Sequence, residues 1–317
     1  MPDELAAFVH EGRDGWLFLT AGSNNVIGQF SETQAMKQRL MDWKALLISR
    51  SRRCESLGTT YLHLTVPEKL TVYDHLLRDL EIDQRLSPAL RLRQSLIWHP
   101  LVRRACLDLV TAFRKRSDSE DLYFRTDSHW SFAGRLVAYQ ALCEALGAVP
   151  REDFPQRPFD EQEFQGDLGG QLDPPQSELA RFYALQRDSV RHYASPIVEA
   201  REAAGAINTL HVGAHVIYRN ASPDADPRRL VLFGDSYSHF APSMLMIMLA
   251  ETFREVHFIW STSIDWAYVE RTLPDILVTQ IAERFMFQVP DDTFDLDAYV
   301  AERFGAELGI GEPVQPD

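Results

Sequence analysis

Leu230-Val231-Leu232-Phe233-Gly234-Asp235-Ser236-Tyr237-Ser238 is a run of apolar residues that stops at glycine, aspartate and serine. A buried strand that delivers a serine to its carboxyl end reads this way, because glycine lets the backbone turn tightly where the apolar segment ends. The apolar residues 244–249 read as part of a helix packing back on the sheet, which places Ser236 at a strand-to-helix corner as a candidate nucleophile. Taken alone, the tripeptide fits equally well an ordinary turn in which Asp235 or Ser236 caps a helix. Residues elsewhere in the chain must decide between the two.

Beyond this stretch the last third alternates strands and helices. A helix is predicted over 242–253, a strand over Val256-His257-Phe258-Ile259-Trp260, a helix over 265–273 and a strand at Ile276-Leu277-Val278. Continuous apolar strands alternating with helices imply a parallel sheet covered on both faces. Glu283-Arg284 follows the last strand and reads as a surface ion pair or a helix-start charge pair. From Pro290 onward only an acidic segment and a Gly/Pro-containing tail are expected.

Upstream, the 150–229 stretch is rich in Pro, Asp, Gln and Gly, with a loop signal at Asp167-Leu168-Gly169-Gly170 and weak strand patterns at 190–193 and 210–218. It reads as an insertion, a lid or subdomain within one domain spanning 1–317. His211 and His215 fall in the second strand pattern, where residues four apart are roughly 13 Å from one another, too far to chelate one ion.

Before it, Leu122-Tyr123-Phe124 reads as a short strand leading to Arg125-Thr126-Asp127-Ser128-His129-Trp130, followed by a helix over 132–146 that stops at Gly147. Asp127 and His129 thus occupy a second loop between a strand and a helix. Earlier still come a helix over 31–57 with Ser31 as its N-cap and Gly58 as its stop, and a core strand at 61–66 ended by Pro67. His63 reads as a satisfied strand histidine. Trp16 to Leu19 forms a hairpin arm after the Asp14-Gly15 turn.

The 317 residues, 45% hydrophobic and 25% charged, describe a globular chain with a sizeable core. A formal charge of −14 argues against a nucleic-acid binder or a polybasic membrane-surface protein. The basic pairs Arg52-Arg53, Arg103-Arg104 and Arg228-Arg229 read as solvated helix or loop ends. Cys54, Cys106 and Cys143 are scattered and odd in number, so buried thiols are expected and neither disulfides nor a zinc site. There is no GxGxxG and no GxxxxGK[ST] stretch, hence no sequence support for a nucleotide cofactor, and no cofactor or metal is expected. The start at Met1 carries no leader character and there is no 18-residue apolar run, so the chain as it stands reads as cytoplasmic, or as periplasmic if a leader or anchor has been removed.

A serine hydroxyl needs a base to take its proton as it attacks, and a histidine oriented by a carboxylate supplies one. Ser236, His129 and Asp127 provide that set. By themselves Asp127 and His129 also fit an N-cap and a helix-start histidine, and it is the serine at the end of another strand that favours a triad. Donors to an acyl oxyanion would be the Ser236 N–H together with Asn24, Asn25 or Gly169. Tyr237 and Arg284 are further candidates for substrate binding, while Asp235 reads as a residue that holds the turn.

The segments Gly15-Trp16-Leu17-Phe18, Val66-Pro67-Glu68-Lys69 with Tyr73, Tyr123 to Trp130, Gly234 to Ser238, and Pro274-Asp275 leading to Glu283-Arg284-Phe285 together resemble the alginate O-acetyltransferase family of AlgJ and AlgX type. The resemblance covers about residues 11–287. Its Asp-x-His-Trp block precedes its Gly-Asp-Ser-Tyr-Ser block, the reverse of ordinary GDSL esterases. It implies an SGNH-hydrolase-like, flavodoxin-like α/β/α sandwich with Ser236, His129 and Asp127 as an acyl-transfer triad. It also implies acetyl transfer to polysaccharide hydroxyls through an acetyl-serine, with a carbohydrate acceptor and an acetyl donor, a membrane acyltransferase being one route of delivery. An SGNH-type carbohydrate acetylesterase, or a catalytically idle carbohydrate-binding or assembly component, are the alternatives.

Overall fold

In the computed structural model, which describes residues 8–22 and 24–309, the chain opens with a short antiparallel pair, β1 (Val9–Glu11) and β2 (Leu17–Leu19). The helix Gln34–Leu57 then leads to β3 (Thr60–Val66). Thr33 caps this helix, its hydroxyl accepting from Met36 N at 3.3 Å, so the cap lies two residues beyond the expected Ser31. Gly58 ends the helix at φ 70°, a conformation that glycine adopts without strain.

Leu122-Tyr123-Phe124 does not add a strand to the sheet. The segment folds back on itself, Phe124 N donating to His129 O at 3.2 Å and Ser131 N to Leu122 O at 2.9 Å, and this tight return presents Asp127 and His129. The expected helix follows at Phe132–Leu146, capped by the Ser131 hydroxyl.

Next come β4 (Phe159–Phe164) and β5 (Glu178–Tyr183), a separate antiparallel pair, then β6 (Ser189–Ala194), β7 (His215–Asn220), β8 (Asp226–Gly234), β9 (Phe253–Trp260) and β10 (Ile276–Ala282). The main sheet has the order β3-β10-β8-β9-β7-β6. Its first four strands are parallel, and β7 and β6 extend it antiparallel at one edge. The composition change at 150–229 therefore does not mark one detached unit. Residues 150–187 lie off the sheet, whereas β6, β7 and the start of β8 belong to it.

Side chains of the buried strands alternate between two cores, as the two-residue strand period requires. Leu230 and Leu232 of β8 face the core formed with helices Phe132–Leu146 and Leu245–Thr252, while Val231 and Phe233 face the core formed with Gln34–Leu57 and Trp266–Thr272. The result is a three-layer α/β/α sandwich around a parallel centre. The segment after Pro290 contains a helix unforeseen from the sequence, Leu296–Leu308, capped by Asp295 and turning Leu296 and Val300 toward the second core. The three cysteines are buried free thiols. No helix among the described residues is long and apolar enough to cross a membrane. Residues 1–5, read above for leader character, and the tail from 310 lie outside the described residues.

Candidate active site

Strand β8 ends at Gly234, which is closely packed: a Cβ there would come within 2.8 Å of Gln280 Oε1 and 3.1 Å of Ser238 Cβ. Asp235 fixes the turn that follows. Its carboxylate accepts from Tyr237 N at 2.9 Å, Gln280 Nε2 at 2.8 Å and Ala282 N at 2.7 Å. Gln280 Oε1 in turn accepts from Asp235 N and the Ser238 hydroxyl. Ser236 opens a single 3₁₀ turn, and the next helix begins only at Leu245, so the corner is a strand followed by a tight turn.

The Asp127-Ser128-His129 return brings its imidazole to this turn. His129 Nε2 lies 2.8 Å from Ser236 Oγ, and His129 Nδ1 lies 2.8 Å from Asp127 Oδ1, giving a continuous hydrogen-bonded chain from hydroxyl to carboxylate. Burial pulls the His129 pKa down, but the hydrogen bond and charge of Asp127 outweigh it and leave the imidazole above its ordinary value. Burial opposes ionisation of Asp127 too. The hydrogen bonds from His129 and from Asp167 N, together with the His129 charge, overcome it and hold the carboxyl well below the usual range.

This loop is gripped from two sides. Lys69, fully buried, donates to Phe124 O at 2.8 Å and Arg125 O at 3.1 Å, and burial drives its pKa down to about 7. From the other side, Asp167 N donates to Asp127 Oδ2 at 2.8 Å, while the Asp167 carboxylate accepts from Ser128 N and Oγ at 2.6 and 2.5 Å. Glu178 accepts from Thr126 N and Oγ1.

The remaining sequence candidates fall into different places. Asn24 and Ser236 line a common cavity of about 610 Å³ with Leu210, His211, Trp260 and Phe285. Asn25 is exposed, sits at φ 44° and does not line that cavity. Gly169 donates its N–H to Thr126 O at 2.8 Å, so it buttresses the histidine loop and has no donor left for an oxyanion. Tyr237 and Arg284 are buried behind His129 and do not present their polar groups to the cavity. The Tyr237 hydroxyl donates to Ser128 O at 2.6 Å, and Arg284 donates to Glu68, Ser128 O and the Tyr237 hydroxyl. Glu283 and Arg284 are not a surface pair either. The Glu283 carboxylate is buried and accepts from Glu68 N, Thr71, Ser87 and Ala89 N.

Sequence reading missed Gln280, Asp167, Gln29 and the role of His211. Gln29 Nε2 donates to Asn24 O at 2.9 Å and Arg284 O at 2.6 Å, tying the Asn24 loop to the site. His211 precedes β7 and stacks on Trp260, with ring centroids 5.6 Å apart. His215, inside β7, bonds Tyr268, and His63 bonds Thr279 and Thr65. Asp127, His129 and Asp167 offer one ligand atom each within 4.8 Å of one another. All four of their carboxylate oxygens already accept protein hydrogen bonds.

Residues 9–256 match the family described as "ALGX: SGNH hydrolase-like domain, acetyltransferase AlgX". Among curated proteins the chain is 28% identical over 241 residues to "Probable alginate O-acetylase AlgJ" of Pseudomonas aeruginosa, covering 72% of this chain and 54% of that one. It thus spans about half the length of that relative. Among solved structures, the O-acetyltransferase domain of Pseudomonas putida AlgJ superposes with a TM-score of 0.60 at 19% identity, over 94% of this chain and 99% of that one. PatB1 of Bacillus cereus superposes with a TM-score of 0.57 at 17% identity, over 87% and 97%. These two structures share the fold, and the match over residues 9–256 shows that the chain belongs to the AlgX-type family of acetyltransferases with an SGNH-hydrolase-like domain.

Proposed function

We propose that the chain is a serine-dependent carbohydrate O-acetyltransferase in which Ser236 is the nucleophile, His129 the general base and acid, and Asp127 the residue that orients and charges the histidine. The observation that carries this reading is the unbroken Ser236–His129–Asp127 hydrogen-bonded chain at the wall of a cavity. Ser236 Oγ attacks the acetyl carbonyl carbon of a donor as its proton passes to His129 Nε2. The tetrahedral oxyanion is met by the Ser236 N–H and the Asn24 side chain, and collapse expels the donor alkoxide, which takes the proton from His129. An acceptor hydroxyl then gives its proton to His129 and attacks acetyl-Ser236. Return of the proton to Ser236 Oγ completes the cycle.

A sugar suits the cavity because Trp260, Phe285 and Phe287 supply ring faces while Asn208, Thr262 and Gln288 supply polar groups. The acetyl donor, with a membrane acyltransferase as its source, and a polysaccharide acceptor complete the reading. Acetylesterase activity is the second reading, favoured by one observation: Ser236 is only half-buried and opens on the cavity, where water could discharge the acyl-serine.

Exposure to an activated acetyl ester, followed by peptide mass spectrometry, should find the acetyl group on Ser236. Candidate oligosaccharides should discharge it faster than buffer alone. Equal discharge by water would favour the esterase. Ser236→Ala should lower turnover on the order of 10⁶-fold. Full retention of transfer and hydrolysis in that variant would end the triad reading, whereas absence of both activities in the unaltered protein would leave an idle carbohydrate-binding component as the better account.

A further inference from the structure

Three large apolar side chains within five residues stand out in solvent: Ile97 is 56% exposed, Trp98 85% and Leu101 70%. They lie where the helix Pro88–Ser95 turns into the helix Pro100–Ala105. Of the other exposed apolar residues described, Val149 and Leu273 stand on separate segments, Leu179 shares the β4–β5 pair with the less exposed Phe159, and Val190 shares β6 with the less exposed Tyr193. A single exposed apolar residue is ordinary, but a contiguous group containing a tryptophan is not.

The charges around this group are the second observation. Of the three basic pairs in the sequence, Arg228-Arg229 is neutralised by Asp226 and Glu255, and in the Arg52-Arg53 pair Arg53 by Glu270, so that Arg103-Arg104 is the pair in which neither member is neutralised. Arg103 and Arg104 have no carboxylate within ion-pair distance among the described residues. They line a groove of about 450 Å³ with Arg93, Ile97, Pro100 and Asp108. Asp108 pairs with Arg93 at 3.2 Å. Arg93 Nε and Arg103 Nε are buried without a hydrogen-bond partner.

We propose that the turn formed by Ile97, Trp98 and Leu101, with Arg103 and Arg104 beside it, docks the protein on an anionic lipid bilayer. Tryptophan and aliphatic side chains enter the headgroup boundary, where an amphipathic ring is most stable, and the arginines meet lipid phosphates. The formal charge of −14 opposes approach to an anionic surface, so any contact is confined to a local cationic face. An anionic bilayer repels an acidic protein overall, so this locally cationic, apolar turn is the face that such a surface would select. The docking element is also rigidly tied to the site. The helix Pro88–Ser95 begins at Ser87 and Ala89, which donate to Glu283, the neighbour of Arg284. At eight residues and 1.5 Å per residue the turn lies about 12 Å along the helix from that anchor.

Co-sedimentation with phosphatidylglycerol-containing vesicles tests the proposal, with phosphatidylcholine vesicles as the neutral control. The protein should pellet with the anionic vesicles at low salt and be released by high salt. Its tryptophan emission should shift to the blue on binding, and Trp98→Ser should abolish the shift. Arg103→Glu and Arg104→Glu should each weaken partitioning at least about fivefold. Hydrolysis of a soluble acetyl ester without vesicles should stay unchanged in all three variants, which shows that they are folded. The proposal is overturned by absence of binding, by equal binding to neutral vesicles, or by binding indifferent to these substitutions. It is equally overturned if the substitutions convert a dimer to a monomer in sedimentation while vesicle binding is absent, since the turn would then be an interface between two copies of the chain.

Discussion

At the level of single residues, the candidate chemistry rests on how Asp127 sets the state of His129. The imidazole must be neutral to accept the Ser236 proton, so activity falls as pH drops through its pKa. Burial alone would lower that pKa, and the Asp127 carboxylate at 2.8 Å is what raises it. Asp127→Asn should therefore do two things. Turnover should fall about 10⁴-fold as the imidazole loses its tautomer and its stabilising charge. The acid limb of the kcat/KM profile for ester hydrolysis should also move to lower pH, and an upward or unchanged limb would contradict the assignment. Ser236, His129 and Asp127 were legible as a set only in combination, since a serine after an apolar run also fits an ordinary turn and an aspartate one residue from a histidine also fits a helix cap. Tyr237 and Arg284 were legible as residues near the site, but their place behind the histidine was not, since only folding shows that Ser128 O collects both of them.

At the level of elements, the stretch first read as a lid acts on the Asp127 loop directly. Gly166 has φ +68°, and a Cβ on it would overlap the Thr126 carbonyl, so the segment can approach only as glycine. From there Asp167 and Glu178 hold Asp127, Ser128 and Thr126. Asp167→Ala should lower kcat by about 10²-fold with little change in KM, the cost of a misplaced base. Asp167→Asn, which keeps one side-chain acceptor for Ser128, should recover part of it. Steady-state kinetics of the two variants separate this from a lid role, in which KM would move instead. On the opposite side, Lys69 has a pKa lowered to about 7 by burial. The unfolded chain then binds more protons than the folded one from about pH 7 up to the ordinary lysine range, so Lys69 makes stability rise with pH across that window. Urea denaturation at several pH values should show that slope in the wild type and a smaller one in Lys69→Met. A loop signal such as Asp167-Leu168-Gly169-Gly170 is visible in sequence, whereas the element it clamps, some 40 positions away, is not.

At the level of the whole molecule, the parallel centre of the sheet was readable because its strands are continuous apolar runs buried on both faces. The antiparallel edge was harder. β6 leaves Val190 to Tyr193 exposed, so it lacks a core pattern, and the helix Leu296–Leu308 hides in an acidic segment with only a few apolar positions turned inward. Net charge, by contrast, is fully legible and makes a prediction about acceptors. A molecule of −14 repels a polyanionic chain at long range, and salt screens that repulsion over about 10 Å at moderate ionic strength. With a polyuronate acceptor, kcat/KM for acetyl transfer should therefore rise with ionic strength by up to about tenfold, while with a neutral oligosaccharide it should stay flat. A fall with salt for the polyuronate would mean that unpaired cations near the cavity outweigh the global charge and draw the acceptor in. The cavity residues Asn24, His211, Trp260 and Phe285 supply no lysine or arginine, which is why the rise is expected.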